Sequence, residues 1–201
     1  TPTQLTDSLG MYCYGGGGYH CVWFEEEDFE IYKKNHMTAV TNPASNLKLA
    51  SGIFPMKRFV DEGINVGIGT DGPASNNCLD MFREMFLASG LAKLREMDAE
   101  CVSAEEILYM ATTGGAKAML LEDCDSLAVG KKADLIILDL KQPNMQPINN
   151  IVKNIVYSGS KQNVKMTMVN GKILYEDNKF YIGFDPEEIY TKANQIIRAM
   201  G

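Results

Sequence analysis

Strand and helix signals alternate through the first 125 residues, and this alternation limits the possible folds more than any other feature of the chain. Three short apolar runs, "HCVWF" (20–24), "MTAVT" (37–41) and "INVGIG" (64–69), predict strands. Between them, "EEEDFEIYKKN" places Phe29 and Tyr32 three residues apart, with acidic residues leading and lysines trailing, as a helix dipole favours. "IFPMKRFVDEG" puts Ile53, Met56, Phe59 and Val60 on one face and stops at a glycine. Strand, helix, strand, helix, strand is the order of parallel βαβ units. Three parallel strands cannot close a barrel, which takes about eight. The pattern therefore predicts part of a larger α/β architecture.

A longer helix is predicted from Leu79 to about Met97, its methionines at packing positions. "SAEEILYMAT" opens with a capping-box pair, Ser103 and Glu106, and "GGAKAMLL" predicts a further helix. Near residue 125 the character changes. "SLAVGKKADLIILDL", "IVKNIVYSG" and "NVKMTMVNGKILYED" are expected to be strands without an intervening helix. Asn170-Gly171 is a type I′ hairpin signal, and "DPEEIYTKANQIIRAMG" an amphipathic helix opened by Asp185 and Pro186 and closed by Gly201. The expected division is 1–124, a partial α/β barrel, and 125–201, a small β-sandwich segment with a C-terminal helix. "YGGGGY" (14–19) is expected to be a flexible local run, too short to separate domains. The opening "TPTQLTDSLGMY" has no initiator methionine and starts in mid-pattern, as a processed chain or a piece of something longer would.

The composition, 45% hydrophobic and 22% charged, allows a packed core. A net charge of −7, with both signs mixed along the chain, argues against a nucleic-acid or anionic-membrane partner, whose mark is a basic patch. Five widely spaced cysteines without a CxxC pair fit reduced thiols in a cytoplasmic protein. No stretch reaches the ~20 apolar residues of a membrane span.

The chemistry concentrates in "GIGTDGPASNN" (67–77), where Asp71 follows an apolar run in a glycine-flanked turn. Such a carboxylate either caps the next helix or acts as a ligand and proton carrier at the strand ends. Asn76 and Asn77 are expected to satisfy backbone groups of the turn. His20, at the head of an apolar run, is either a hydrogen-bonded structural histidine or a site residue. His36, after a helix in "KKNHM", is expected at the surface.

The stretch from "TNPASNLKLASG" through "GTDGPASNN" to "LASGLAK", with "HCV" before it and "LAVGKKADLIILDL…VKMTMVNGKILYEDNKF" after it, closely resembles the amidohydrolase superfamily. Within it, the chain is most similar to methylthioadenosine/S-adenosylhomocysteine deaminases and related chlorohydrolase-like enzymes. The resemblance runs from Tyr19 to about Tyr181. It implies that the chain is the C-terminal part of a TIM-like (β/α)8 hydrolase barrel, strands six to eight, plus the returning sandwich segment. It implies that Asp71 ligates a catalytic Zn (or Fe) and shuttles protons. His20, by the same resemblance, sits beside the metal-bound water and the substrate. Both would be catalytic and substrate-binding. The substrate would be a small nucleoside, hydrolytically deaminated at its adenine ring.

The departures from the pattern are as informative. The family's other metal ligands, a His-x-His pair and a further histidine, have no counterpart among this chain's two histidines. Thr41 and Trp23 stand where histidines are common. The metal is therefore expected to be absent from the chain by itself, and the chain to be inactive until joined by an N-terminal half or paired with itself. The alternatives are a non-catalytic assembly module, or an amidohydrolase for another amino- or chloro-heterocycle.

Overall fold

The computed structural model describes residues 1–200; the expected helix closure at Gly201 lies outside them. The chain opens with α1 (Pro2–Ser8), not anticipated from sequence, whose N-cap Thr1 and Gln4 form a capping box. β1 (Gly17–Tyr19), β2 (Thr38–Thr41) and β3 (Val66–Ile68) form a three-stranded parallel sheet in that order. The registers are Gly18↔Ala39 and Val40↔Gly67. α2 (Glu26–Lys34) connects β1 to β2, and α3 (Pro43–Lys48) with α4 (Met56–Asp61) connects β2 to β3. The alternation expected from sequence is present, with two corrections.

The first strand is not "HCVWF". It ends at Tyr19, and His20 and Cys21 turn away with φ of 66° and 45°. The glycine run supplies the strand instead, for a steric reason: a Cβ on Gly17 would lie 2.6 Å from the Thr38 carbonyl oxygen. Only glycine lets the strands approach this closely. The second correction is α3, whose six residues are too few to show helical periodicity.

After β3 come a single turn, α5 (Pro73–Asn76), and the long α6 (Met81–Glu96), capped by the Asp80 side chain on the Phe82 N–H. Met85 of α6 is buried as expected, but Met97 ends the helix in a left-handed conformation and is exposed. α7 (Ala104–Tyr109) carries the Ser103–Glu106 capping box. It runs through a π-helical turn (Met110–Gly114) into α8 (Gly115–Ala118).

In the second part, "IVKNIVYSG" is not a strand but α9 (Ile151–Ser158), so a helix does intervene. Its β-branched residues suggested a strand. The Asn150 cap on the Lys153 N–H and the packing of Val152, Ile155 and Val156 against the core decide for a helix. α9 lies against α6 and α7, with the Tyr157 hydroxyl bonded to Ser89 and Lys93. β4 (Leu135–Leu138), β5 (Val164–Val169), β6 (Lys172–Glu176) and β7 (Lys179–Phe180) form an antiparallel sheet in chain order. Asn170 and Gly171, both at positive φ, make the expected hairpin between β5 and β6. α10 (Pro186–Met200) follows with no buried residue.

The core gathers α2, α4, α6, α7 and α9 around the parallel sheet. Its centre is an aromatic cluster in which Phe59, fully buried, contacts Phe24, Phe29, Tyr32 and Phe54 at centroid distances of 4.6–6.1 Å. β1 and β3 are the edges of the sheet, and Tyr19 of β1 is exposed. All five cysteines are free thiols. Among the described residues, no helix is long and apolar enough to cross a membrane.

Candidate active site

The C-terminal ends of parallel strands are where an α/β sheet can collect side chains from separate loops, since each strand there gives way to a short turn. This sheet does so three times over. His20 follows β1, its N–H still bonded to the Val40 carbonyl. Asn42, Ser45 and Asn46 follow β2, all buried, on or just before α3. Thr70 and Asp71 follow β3, where the Gly69 N–H bonds to the Thr41 carbonyl. Gly69 is required by a close approach: a Cβ there would stand 2.5 Å from the Asn42 Oδ1.

The two residues singled out from sequence are brought together. His20 Nε2 stands 3.9 Å from Asp71 Oδ2, both side chains part-exposed at the mouth of the sheet. Each is held at positive φ, 66° and 59°, a conformation that costs free energy in a non-glycine residue and persists where the surroundings impose it. Adjacent residues of α3 fix their side chains. The Ser45 hydroxyl donates to Asp71 Oδ2 at 2.6 Å, and Asn46 Oδ1 lies 2.7 Å from His20 Nδ1. With Asn46 Oδ1 as acceptor, His20 carries its proton on Nδ1 and turns Nε2 toward Asp71.

Asp71 is not occupied solely with its own turn. Oδ1 accepts from the Gly72 N–H at 2.7 Å, while Oδ2 faces Ser45 and His20. The Ser45 hydroxyl foremost, then the Gly72 amide, hold the Asp71 carboxyl below its ordinary value, so it is an anion at neutral pH. Burial opposes this shift, and the Ser75 hydroxyl and His20 add to it.

The remaining sequence expectations fall as follows. Asn76 is buried and donates to the Thr70 carbonyl at 2.6 Å, the backbone role expected of it, and also to Glu84 at 2.8 Å. Asn77 ends α5 in a left-handed conformation and accepts from Lys48. His36 is exposed after α2, as expected. Thr41 is buried under the site. Trp23 is exposed, its indole N–H bonded to the Ser51 carbonyl. Ser45, Asn46 and Glu84 escaped the sequence reasoning. The "NPASN" run held the first two, but only the fold shows which side chains they meet.

Residues 5–174 match the model of the amidohydrolase family. The chain belongs to the amidohydrolase family. Over 203 residues it is 41% identical to a 5-methylthioadenosine/S-adenosylhomocysteine deaminase of Caldanaerobacter subterraneus, covering 98% of this chain and 47% of that protein. It is equally identical, over 201 residues, to a 5'-deoxyadenosine deaminase of Methanobrevibacter smithii, covering 99% of this chain and 46% of the relative. Among solved structures, an adenosine deaminase from Xanthomonas campestris with bound zinc superposes with a TM-score of 0.91 at 33% identity. The match covers 96% of this chain and 44% of that one. The chain thus spans about half the length of the curated relatives it matches.

A zinc ion in this amidohydrolase would need more ligands than the chain's own strand ends offer. Catalytic zinc takes three or more protein ligands. Among the described residues no group of three or more His, Cys, Asp or Glu is placed to hold a metal. Asp71, an anion whose side chain is part-exposed at the mouth of the sheet, has the chemistry of one such ligand.

Proposed function

We propose that this chain contributes the last three strands, six to eight, of a metal-dependent amidohydrolase barrel that hydrolytically deaminates an adenine nucleoside. The substrate class is 5'-methylthioadenosine, S-adenosylhomocysteine or 5'-deoxyadenosine. Residues 1–124 are its part of the barrel, and 125–201 carry the sandwich segment and closing helix. The observation that carries the reading is the convergence of Asp71 and His20 at one sheet mouth, in a chain about 40% identical to two adenine-nucleoside deaminases.

The reaction replaces the exocyclic amine at C6 with oxygen: water adds, and the C6–N bond breaks with loss of ammonia. A bound zinc or iron supplies hydroxide at neutral pH by lowering the pKa of its water to about 7. Asp71 would hold the metal together with ligands from the N-terminal half, and its carboxylate would accept the water proton and return it to the leaving nitrogen. Its depressed pKa keeps it ready as base. Ser45 holds Oδ2 in register for this transfer. His20, its tautomer fixed by Asn46, presents the Nε2 lone pair to the attacking water and accepts a hydrogen bond from it, which orients the water for attack.

By itself the chain lacks the remaining ligands and is inactive. The test is ammonia release from 5'-methylthioadenosine by the chain alone, by the chain supplied with an N-terminal half carrying His-x-His, and by that pair with Asp71→Asn. Activity in the pair only, lost with Asp71→Asn, supports the proposal. Turnover by the isolated chain, or no activity in a correctly assembled pair, refutes it.

A further inference from the structure

The proposed mechanism makes no use of Glu84, yet this carboxylate is fully buried. It sits in the first turn of α6 and contributes no bond to its own cap, which Asp80 makes. The other fully buried acid, Asp28, caps its own helix, its carboxylate accepting from the Glu25 N–H in the capping box of α2, and also accepts from the Thr1 hydroxyl ahead of α1. Glu84 instead reaches two other segments. Oε2 accepts from the Ala44 N–H at 2.9 Å, and Oε1 from Asn76 Nδ2 at 2.8 Å.

Those two segments carry both halves of the site. The Ala44 N–H is a donor without a helical partner at the start of α3, the helix whose next two residues, Ser45 and Asn46, hold Asp71 and His20. Asn76 spends its second proton on the carbonyl of Thr70, the neighbour of Asp71. One buried carboxylate therefore ties the loop after β2 to the loop after β3, and sets how Ser45 meets Asp71. Burial pushes Glu84 above its ordinary value, and the two N–H donors partly offset this. Such a group is costly to keep unless its bonds do something.

We propose that Glu84 is a positioning residue of the active site: it bridges Ala44 and Asn76 so that the Ser45–Asp71 and Asn46–His20 pairs stay aligned. This rests on the proposed function only for its catalytic consequence, since the bridging itself can be read in the chain alone.

The test uses Glu84→Gln, which keeps the volume but leaves one acceptor oxygen for two donors. In the full chain, NMR follows the Gly72 amide and the His20 Nδ1 proton, neither of which touches Glu84. With one histidine besides His20 in the chain, His36→Gln assigns the imidazole signal. The expected result is about tenfold faster exchange at both sites while the amides of Ala88 and Ala92, deep in α6, keep their protection. Unchanged exchange at Gly72 and His20 overturns the proposal. So does a uniform rise across α6, which would mark Glu84 as merely structural. In the metal-loaded pair with an N-terminal half, Glu84→Gln is expected to lower kcat about 10- to 100-fold with KM within about twofold. Unchanged kcat overturns the catalytic consequence. A wild-type pair without deaminase activity refutes the proposed function instead, and leaves the exchange experiment to decide the bridging.

Discussion

Replacing Asn76 with alanine isolates the energetic value of the buried polar link beneath Asp71. Asn76 is 2% exposed and uses all of its hydrogens: one to the Thr70 carbonyl at 2.6 Å, one to Glu84 Oε1 at 2.8 Å. Its oxygen accepts a longer bond from the Cys78 N–H at 3.3 Å. Asn76→Ala leaves a part-buried carbonyl unpaired and a buried carboxylate with one donor in place of two. A neutral bond is worth about 1 kcal/mol and a bond to a charged group about 2 kcal/mol, so the loss is about 3 kcal/mol. That is a large part of the ~5–15 kcal/mol that holds a domain folded. With a urea m-value of about 2 kcal/mol/M, the midpoint falls by about 1.5 M. Equilibrium urea denaturation monitored by far-UV circular dichroism reads this directly. Asn76→Asp sharpens the test by setting a second carboxylate against Glu84. Like charges raise the pair's pKa in the folded state, so stability is retained at low pH and lost as pH rises through that raised value. Asn76→Asp is therefore worse than Asn76→Ala at pH 7 and recovers as pH falls. A loss below about 1 kcal/mol for Asn76→Ala, or no pH dependence for Asn76→Asp, would mean that the link is not dry and that the reasoning fails.

Other substitutions probe the same frame. Gly69→Ala drives a Cβ into Asn42 and within 3.2 Å of Val40 Cγ1, and is expected to cost about 1–3 kcal/mol in the same denaturation assay. Asn46→Ala frees the His20 ring, and lowers ammonia release by the assembled enzyme about 10- to 100-fold. Cys21 is buried, its thiol pushed up to about 11 chiefly by loss of solvation, whereas Cys13 is exposed. Peptide mapping after iodoacetamide at pH 8 should find Cys13 alkylated and Cys21 intact, since only about one Cys21 in 1,000 is then a thiolate. Because burial raises the Cys21 thiol, its contribution to stability is full below the ordinary thiol value and is lost as pH rises through about 11.

The parallel α/β order was legible in the sequence because it rests on local signals: apolar runs, the Ser103–Glu106 box and the Asn170-Gly171 turn each work within a few residues. The two strand errors have nonlocal causes. Gly17 belongs to a strand because β2 lies so close and Gly18 because the Tyr32 hydroxyl of α2 does, and "IVKNIVYSG" makes a helix because α6 and α7 offer it an apolar seat. The same division holds at the site. Asp71 and His20 could be picked out by type and context. Glu84 could not, since an acidic residue in a first helical turn resembles any solvated one until the fold buries it.

The proposed function turns on Asp71 as the one metal ligand this chain contributes. Chelator-competition titration of zinc on the chain paired with an N-terminal half, compared with the same pair carrying Asp71→Asn, tests this most directly. About one tightly held zinc per wild-type pair, with affinity at least about tenfold weaker in the Asp71→Asn pair, is the expected result. Equal zinc affinity in both pairs, or one zinc held by this chain without a partner, would contradict it.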